Sequence, residues 1–205
     1  FGCSLSSDGV VHCWGKNNYG QLGDGTTTTR STPVTVTLDS AAVSIECATQ
    51  HVCALLDTGK VQCWGRNHAG QLGIDSTTTQ NTPQTVLNIE GVTQLTSAGY
   101  RNCVLFGTGE VKCWGWNNVG QCGIGSTGSQ GNSAGKMAGL EFTDLDGSAR
   151  HIACGGHTNG GHCCAIMANN DLKCWGWNNV GQLGIDSTTT NGDGANEMGS
   201  NLQVT

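Results

Sequence analysis

The chain has 205 residues, with 33 Gly, 12 Cys, 6 Trp, 2 Pro and a charged fraction of only 12%, about half the globular norm. Net charge is −6 with 9 basic residues, so there is no cationic footprint for nucleic acid or anionic lipid. No apolar run approaches the ~18 residues of a membrane-spanning helix. Twelve cysteines point to an oxidising, extracellular compartment and a secreted protein. The chain opens at Phe1 and reads as a mature or trimmed product.

A repeat organises the sequence. CWGKNNYGQLGDG begins at Cys13, CWGRNHAGQLGID at Cys63, CWGWNNVGQCGIG at Cys113 and CWGWNNVGQLGID at Cys174, at spacings of 50, 50 and 61 residues. The extra residues fall in loop-like stretches between Gly123 and Ile152 and between Cys154 and Cys164. One β-repeat domain over 1–205 is expected, in units of about 1–38, 39–88, 89–146 and 147–205.

Within each unit a second cysteine stands ten residues before the CWG cysteine, giving Cys3/Cys13, Cys53/Cys63, Cys103/Cys113 and Cys164/Cys174. The intervening stretch reads as a β-hairpin with a three-residue loop. Gly9, Gly59, Gly109 and Asn170 fill the left-handed third position of that loop. Leu5/Val11, Leu55/Val61, Leu105/Val111 and Ile166/Leu172 become cross-strand pairs on the cysteine face, and Lys60, Gln62, Lys112 and Lys173 fall on the other face. Opposed cysteines on antiparallel strands are within disulfide range, so four cross-hairpin disulfides are predicted; buried free thiols would not explain the recurring spacing.

A leading strand is expected at Val43–Ser44–Ile45, Thr93–Gln94–Leu95 and His151–Ile152–Ala153. A trailing strand is expected at Pro33–Val36 and Pro83–Val86, with another in Leu202–Gln203–Val204. Four short strands in about 50 residues is the pattern of a propeller blade or stacked β repeat. The chain begins and ends mid-pattern, so exposed sheet edges that pair with another copy are an expectation.

The words H-x-C-A-L-x-x-x-G-x-V-x-C-W-G-x-N-x-x-G-Q-L-G, read from His51 to Gly73, resemble the repeats of the regulator-of-chromosome-condensation family, and the match covers most of the chain in four copies. Residues 191–199, NGDGANEMG, resemble the linker of secreted members. The resemblance implies a disulfide-stapled all-β fold of propeller-type blades. Family propellers typically have seven blades, so four units leave three arrangements open: part of a larger propeller, a small closed ring or an open array. The nucleotide-exchange activity of the family's best-known member is not carried over, because no position here matches a motif for it.

Catalytic motifs are absent: there is no G-x-S-x-G, P-loop or dinucleotide fingerprint, and neither enzyme activity nor a cofactor is expected. His51 has Arg101 as its counterpart in the third unit, which argues for a surface or packing role. Asp24, Asp75 and Asp186 read as loop caps of local amides. Asp193 and Glu197 are a weak candidate for calcium, with spacing that fits no known loop. Cys154, His157, His162 and Cys163 have spacing compatible with zinc; a fifth disulfide, Cys154–Cys163, is the preferred reading. Cys47 and Cys122 are left over and can join units two and three or bond between chains.

Trp14, Trp64, Trp114 and Trp175 recur with the fold and read as core. Trp116 and Trp177 stand where the first two units have Lys16 and Arg66, and are candidates for partner or carbohydrate contact. Thr26, Thr27, Thr28 and Thr29, then Thr77, Thr78 and Thr79, then Thr188, Thr189 and Thr190, are candidate O-glycosylation sites; there is no N-x-S/T sequon. The expected function is a non-enzymatic extracellular scaffold, a subunit of a filament or surface assembly contacting other copies, neighbouring proteins or glycans. The alternative is a soluble propeller module that binds a protein or glycan ligand.

Overall fold

The computed structural model describes residues 1–157 and 160–205. Thirteen antiparallel strands, in four sheets, and a short 3-10 turn at Gly199–Asn201 form the regular structure among these residues. The first sheet holds β1 (Gly2–Leu5), β2 (Val11–Gly15) and β3 (Arg30–Val36). The second holds β4 (Ala42–Cys47), β5 (His51–Leu56), β6 (Val61–Gly65) and β7 (Gln80–Thr85). The third holds β8 (Val92–Ala98), β9 (Arg101–Phe106) and β10 (Val111–Gly115), and the fourth β11 (Ala149–Gly155), β12 (His162–Met167) and β13 (Leu172–Gly176). The fold is all-β, in four propeller-type blades.

Each blade is built on its hairpin. Gly9, Gly59, Gly109 and Asn170 close the turns at φ of 83°, 75°, 89° and 73°, a region open to glycine and tolerated by asparagine. The turn fixes the register, so Cys3 faces Cys13, Cys53 faces Cys63, Cys103 faces Cys113 and Cys164 faces Cys174. Leu55 then faces Val61, Leu105 faces Val111 and Ile166 faces Leu172.

The expectation of four strands in every unit is corrected. Among the described residues the second blade alone has four strands. In the third and fourth the outer strand shrinks to isolated bridges, Gly115 with Gln130 and Gly176 with Asn191, and of Leu202–Val204 only Val204 bridges, to Lys173. Gln62 and Lys173, assigned to the non-cysteine face, are buried. The second blade lies between two neighbours, and β5 and β6 are buried at every residue, whereas Lys173 in the last blade is covered by the linker at Leu145 and by Val204. Gln62 therefore bonds Asp39, and Lys173 Nζ donates to the Leu145 carbonyl at 2.7 Å.

The core lies in the joints between blades, one cluster per joint. Val11, Leu22, Val52 and Trp64 fill the first, Leu72, Leu95, Trp114 and Met137 the second, and Cys122, Ile152, Trp175 and Met198 the third. Leading strands β4, β8 and β11 pack side by side. Their ends and the loops after β6, β10 and β13 share one rim, because β6 ends at Gly65 opposite His51, just past the turn from β4.

Candidate interaction face

The repeated word W-G-x-N-x-x-G-Q-L-G is a self-contained loop plus a socket. Asn17, Asn67, Asn117 and Asn178 are fully buried, and each Oδ1 accepts the amide five residues on, at Leu22, Leu72, Cys122 and Leu183. Each Nδ2 donates to carbonyls nine and eleven residues on, such as Ser76 and Thr78 from Asn67. The glutamine folds back, so that Gln71 Oε1 accepts from the Ala69 amide at 2.9 Å. Its own carbonyl accepts the next blade's indole: Trp64 on Gln21, Trp114 on Gln71 and Trp175 on Gln121, at 3.0, 3.1 and 3.1 Å. The glycine after the socket has no room for a side chain, since a Cβ on Gly73 would lie 2.9 Å from the Trp114 Nε1.

Positions the word leaves free stand on the rim. Arg66 stacks over Tyr19 at 4.8 Å and Tyr100 at 5.4 Å, and donates to the Gln50 Oε1 at 2.5 Å and the Tyr100 hydroxyl at 3.2 Å. The Tyr100 hydroxyl donates to the same Gln50 oxygen. His68 meets the Tyr100 ring edge-on at 4.4 Å and the Trp116 ring at 5.8 Å. Burial, and then the Arg66 charge, holds the His68 imidazole below its ordinary range. Three blades thus contribute one patch of Tyr19, Arg66, His68, Tyr100 and Trp116. Trp177 is half-buried on the same rim in the fourth.

Charge is divided between the two ends. The segments 16–22, 48–50, 66–72, 98–100, 116–122 and 177–183 contain no Asp or Glu and hold Lys16 and Arg66, while Asp24, Asp75 and Asp186 follow further along the same loops. The hairpin turns and linkers at the opposite end carry Asp8, Asp57, Glu90, Glu110, Asp144, Asp146 and Asp171, with Lys60 paired to Glu90 at 3.4 Å. Of the rim residues, the sequence singles out only Trp116 and Trp177 as contact candidates. Arg66, His68 and Tyr19 occupy the same free positions, which was the available signal; Tyr100 carried none.

The remaining site residues are placed as follows. Cys3–Cys13, Cys53–Cys63, Cys103–Cys113, Cys154–Cys163 and Cys164–Cys174 are bonded, each with Cα atoms 4.1 Å apart. With Cys154 and Cys163 bonded to each other, neither offers a thiolate, which sets aside zinc at Cys154, His157, His162 and Cys163. Cys47 and Cys122 are free thiols in different surroundings, Cys47 exposed on β4 and Cys122 buried in its socket. Burial pushes the Cys122 thiol up to about 12.

His51 and Arg101 are both buried. Trp14 departs from its repeat partners and is 37% exposed, because the first blade has no preceding socket in contact with it. Asp24 caps locally, on Thr26, and pairs with Arg30 at 3.0 Å. Asp75 instead caps across the joint, on the Gly135 and Met137 amides, each at 2.8 Å. Glu197 commits an oxygen to the amides of Gly192 and Gly194, and burial raises the Asp193 carboxyl beside it. These contacts describe a capped loop. Thr27, Thr28, Thr29, Thr77, Thr78, Thr79, Thr188 and Thr189 are exposed, while Thr26 and Thr190 are half-buried.

A sequence model described as "Regulator of chromosome condensation (RCC1) repeat" matches residues 8–55 and 58–106, and a second model of the same description matches 42–71 and 149–182. The chain belongs to the RCC1 repeat family. No curated protein matches its sequence. Among solved structures this RCC1-repeat chain is similar to human WBSCR16, with TM-score 0.77, 23% identity, and coverage of 92% of this chain and 48% of that one. It is also similar to yeast RCC1 (Prp20) bound to Kap60, with TM-score 0.73, 18% identity, and coverage of 93% and 45%. A Saccharomyces cerevisiae Prp20p structure, described with binding to Gsp1p and histones, has TM-score 0.73, 18% identity, and coverage of 90% and 45%. At these identities the likeness is one of fold, and the chain spans about half the length of these structures.

Proposed function

We propose that this RCC1-repeat chain is a non-catalytic protein-interaction module that works outside the cell, and that the rim carrying Tyr19, Arg66, His68, Tyr100, Trp116 and Trp177 is its partner surface. The observation that carries the reading is the preordered patch around Arg66. Trp, Tyr and Arg are the residues that dominate binding energy at interfaces. Arg66 is already held between two rings and two hydrogen bonds, so little ordering cost remains on association. The five disulfides support an oxidising compartment, and among the described residues no helix is long and apolar enough to cross a membrane. Yeast Prp20, of similar fold, is bound to Kap60 in its crystal structure. The exposed threonines support O-linked sugars on the outer loops.

The test is capture of partners from conditioned medium by wild-type chain and two variants. Arg66→Glu with Trp116→Ala is expected to lose capture at least 10-fold, while Lys60→Glu at the opposite end keeps it. Equal capture by all three removes the rim reading.

A further inference from the structure

Two staples meet across the joint between the third and fourth blades. Cys103, bonded to Cys113, places its Sγ 3.6 Å from the Sγ of Cys163, which is bonded to Cys154. The sulfurs of Cys103, Cys154 and Cys163 all lie within 4.8 Å of one another. Access to them is unequal. Cys103, Cys113 and Cys163 have no exposed surface, whereas Cys154 is half-buried and lines an open cavity on the rim beside Ser97 and His157.

A charge stands next to this pair. Gly155 and His162 form the next rung of the ladder after Cys154 and Cys163, and their carbonyls both accept from the Arg101 Nη2, at 2.9 and 3.0 Å. Arg101 is 2% exposed, its Nε has no acceptor, and no carboxylate pairs with it among the described residues. An unneutralised buried guanidinium beside a disulfide favours the thiolate that forms when the disulfide opens. At the joint between the second and third blades the position of Cys163 is held by Asn102, whose Oδ1 lies 3.3 Å from the Cys53 Sγ. At the joint before it, the position is held by Val52. The facing sulfur is thus an addition to the repeat.

We propose that Cys154 is a thiol–disulfide exchange site for a small thiol of glutathione size, and that exchange there re-links the third and fourth blades through Cys103–Cys163. The incoming thiol gives up its proton, and its thiolate attacks the Cys154 Sγ. A mixed disulfide forms on Cys154, the Cys154–Cys163 bond breaks, and its electron pair leaves on Cys163. The Cys163 thiolate attacks the Cys103 Sγ 3.6 Å away and forms Cys103–Cys163. Cys113 leaves as a thiolate and takes up the proton. One thiol enters, one thiol is produced, and the number of disulfides is unchanged, so no oxidant or reductant is consumed. Two staples within blades are replaced by one bond between blades.

The experiment is incubation of the folded wild-type chain with reduced glutathione, acid quench, alkylation of free thiols and tryptic mapping by mass spectrometry. Cys103 lies in peptide 102–112, Cys113 and Cys122 in 113–136, and Cys154, Cys163 and Cys164 in 151–173, so linked masses separate the states and fragment ions assign the sulfur within each peptide. The expected product links 102–112 to 151–173, carries glutathione on Cys154 and alkylated Cys113, and keeps Cys53–Cys63. Glutathione on Cys154 with alkylated Cys163 and an intact Cys103–Cys113 overturns the relay; a Cys154–Cys163 bond that survives while another staple opens overturns the site. In Cys154→Ser, the 102–112 to 151–173 link is expected without added thiol. A free Cys163 beside an intact Cys103–Cys113 in that variant also contradicts the proposal.

Discussion

Trp14, Trp64, Trp114 and Trp175 hold one position of the repeat in two environments. Three are fully buried with the indole N–H on a neighbouring glutamine carbonyl, and Trp14 is 37% exposed. Trp114→Ala should therefore cost about 3–5 kcal/mol, and Trp14→Ala only about 1 kcal/mol, both read by urea unfolding. The sequence makes these residues look equal because the difference lies in the neighbour. His51 offers a second residue-level test. Its Nε2 lies 2.9 Å from the Asn102 Oδ1, its Nδ1 has no partner, and burial lowers it from 6.5 to about 4. Between pH 6.5 and 4 the unfolded chain binds a proton that the folded chain refuses. Stability falls on acidification through that window, by up to about 3 kcal/mol, and this group contributes no slope above it. His51→Asn should flatten the pH dependence of the unfolding midpoint there.

At the level of elements, the hairpins were the most legible part of the sequence. Turn residue, cross-strand pairing and cysteine spacing are all local, and they agreed in four copies. Replacing Cys53 and Cys63 with alanine opens a loop of about 11 residues and should lower stability by a little under ~3 kcal/mol, measured by thermal unfolding. The outer strands were less legible. In the third blade, the stretch that an outer strand would occupy is a loop capped by Asp75 from the blade before and anchored by buried Met137. That contact joins residues about 60 apart and leaves no periodic trace. Burial of Gln62 and Lys173 is illegible for a related reason: strand alternation does not report that a neighbouring blade covers the outer face of β6, or that the linker at Leu145 covers Lys173.

For the whole molecule, the decisive feature is the difference between its two ends. One rim gathers Arg66, Tyr100, His68 and Trp116 from two blades, with Tyr19 from a third; the other collects most of the acidic turns. The repeat could be read from the sequence, and with it which positions were free to vary. Which of those positions converge could not, because convergence depends on how blades stack. The proposed function requires that this rim is where a partner binds. The most direct measurement is hydrogen exchange of the chain, free and bound to a partner captured from conditioned medium. Slowed exchange confined to residues 66–70, 98–101 and 116–119 is the predicted result. Protection at the hairpin turns 57–59 and 107–109, with these rim loops unchanged, would contradict it.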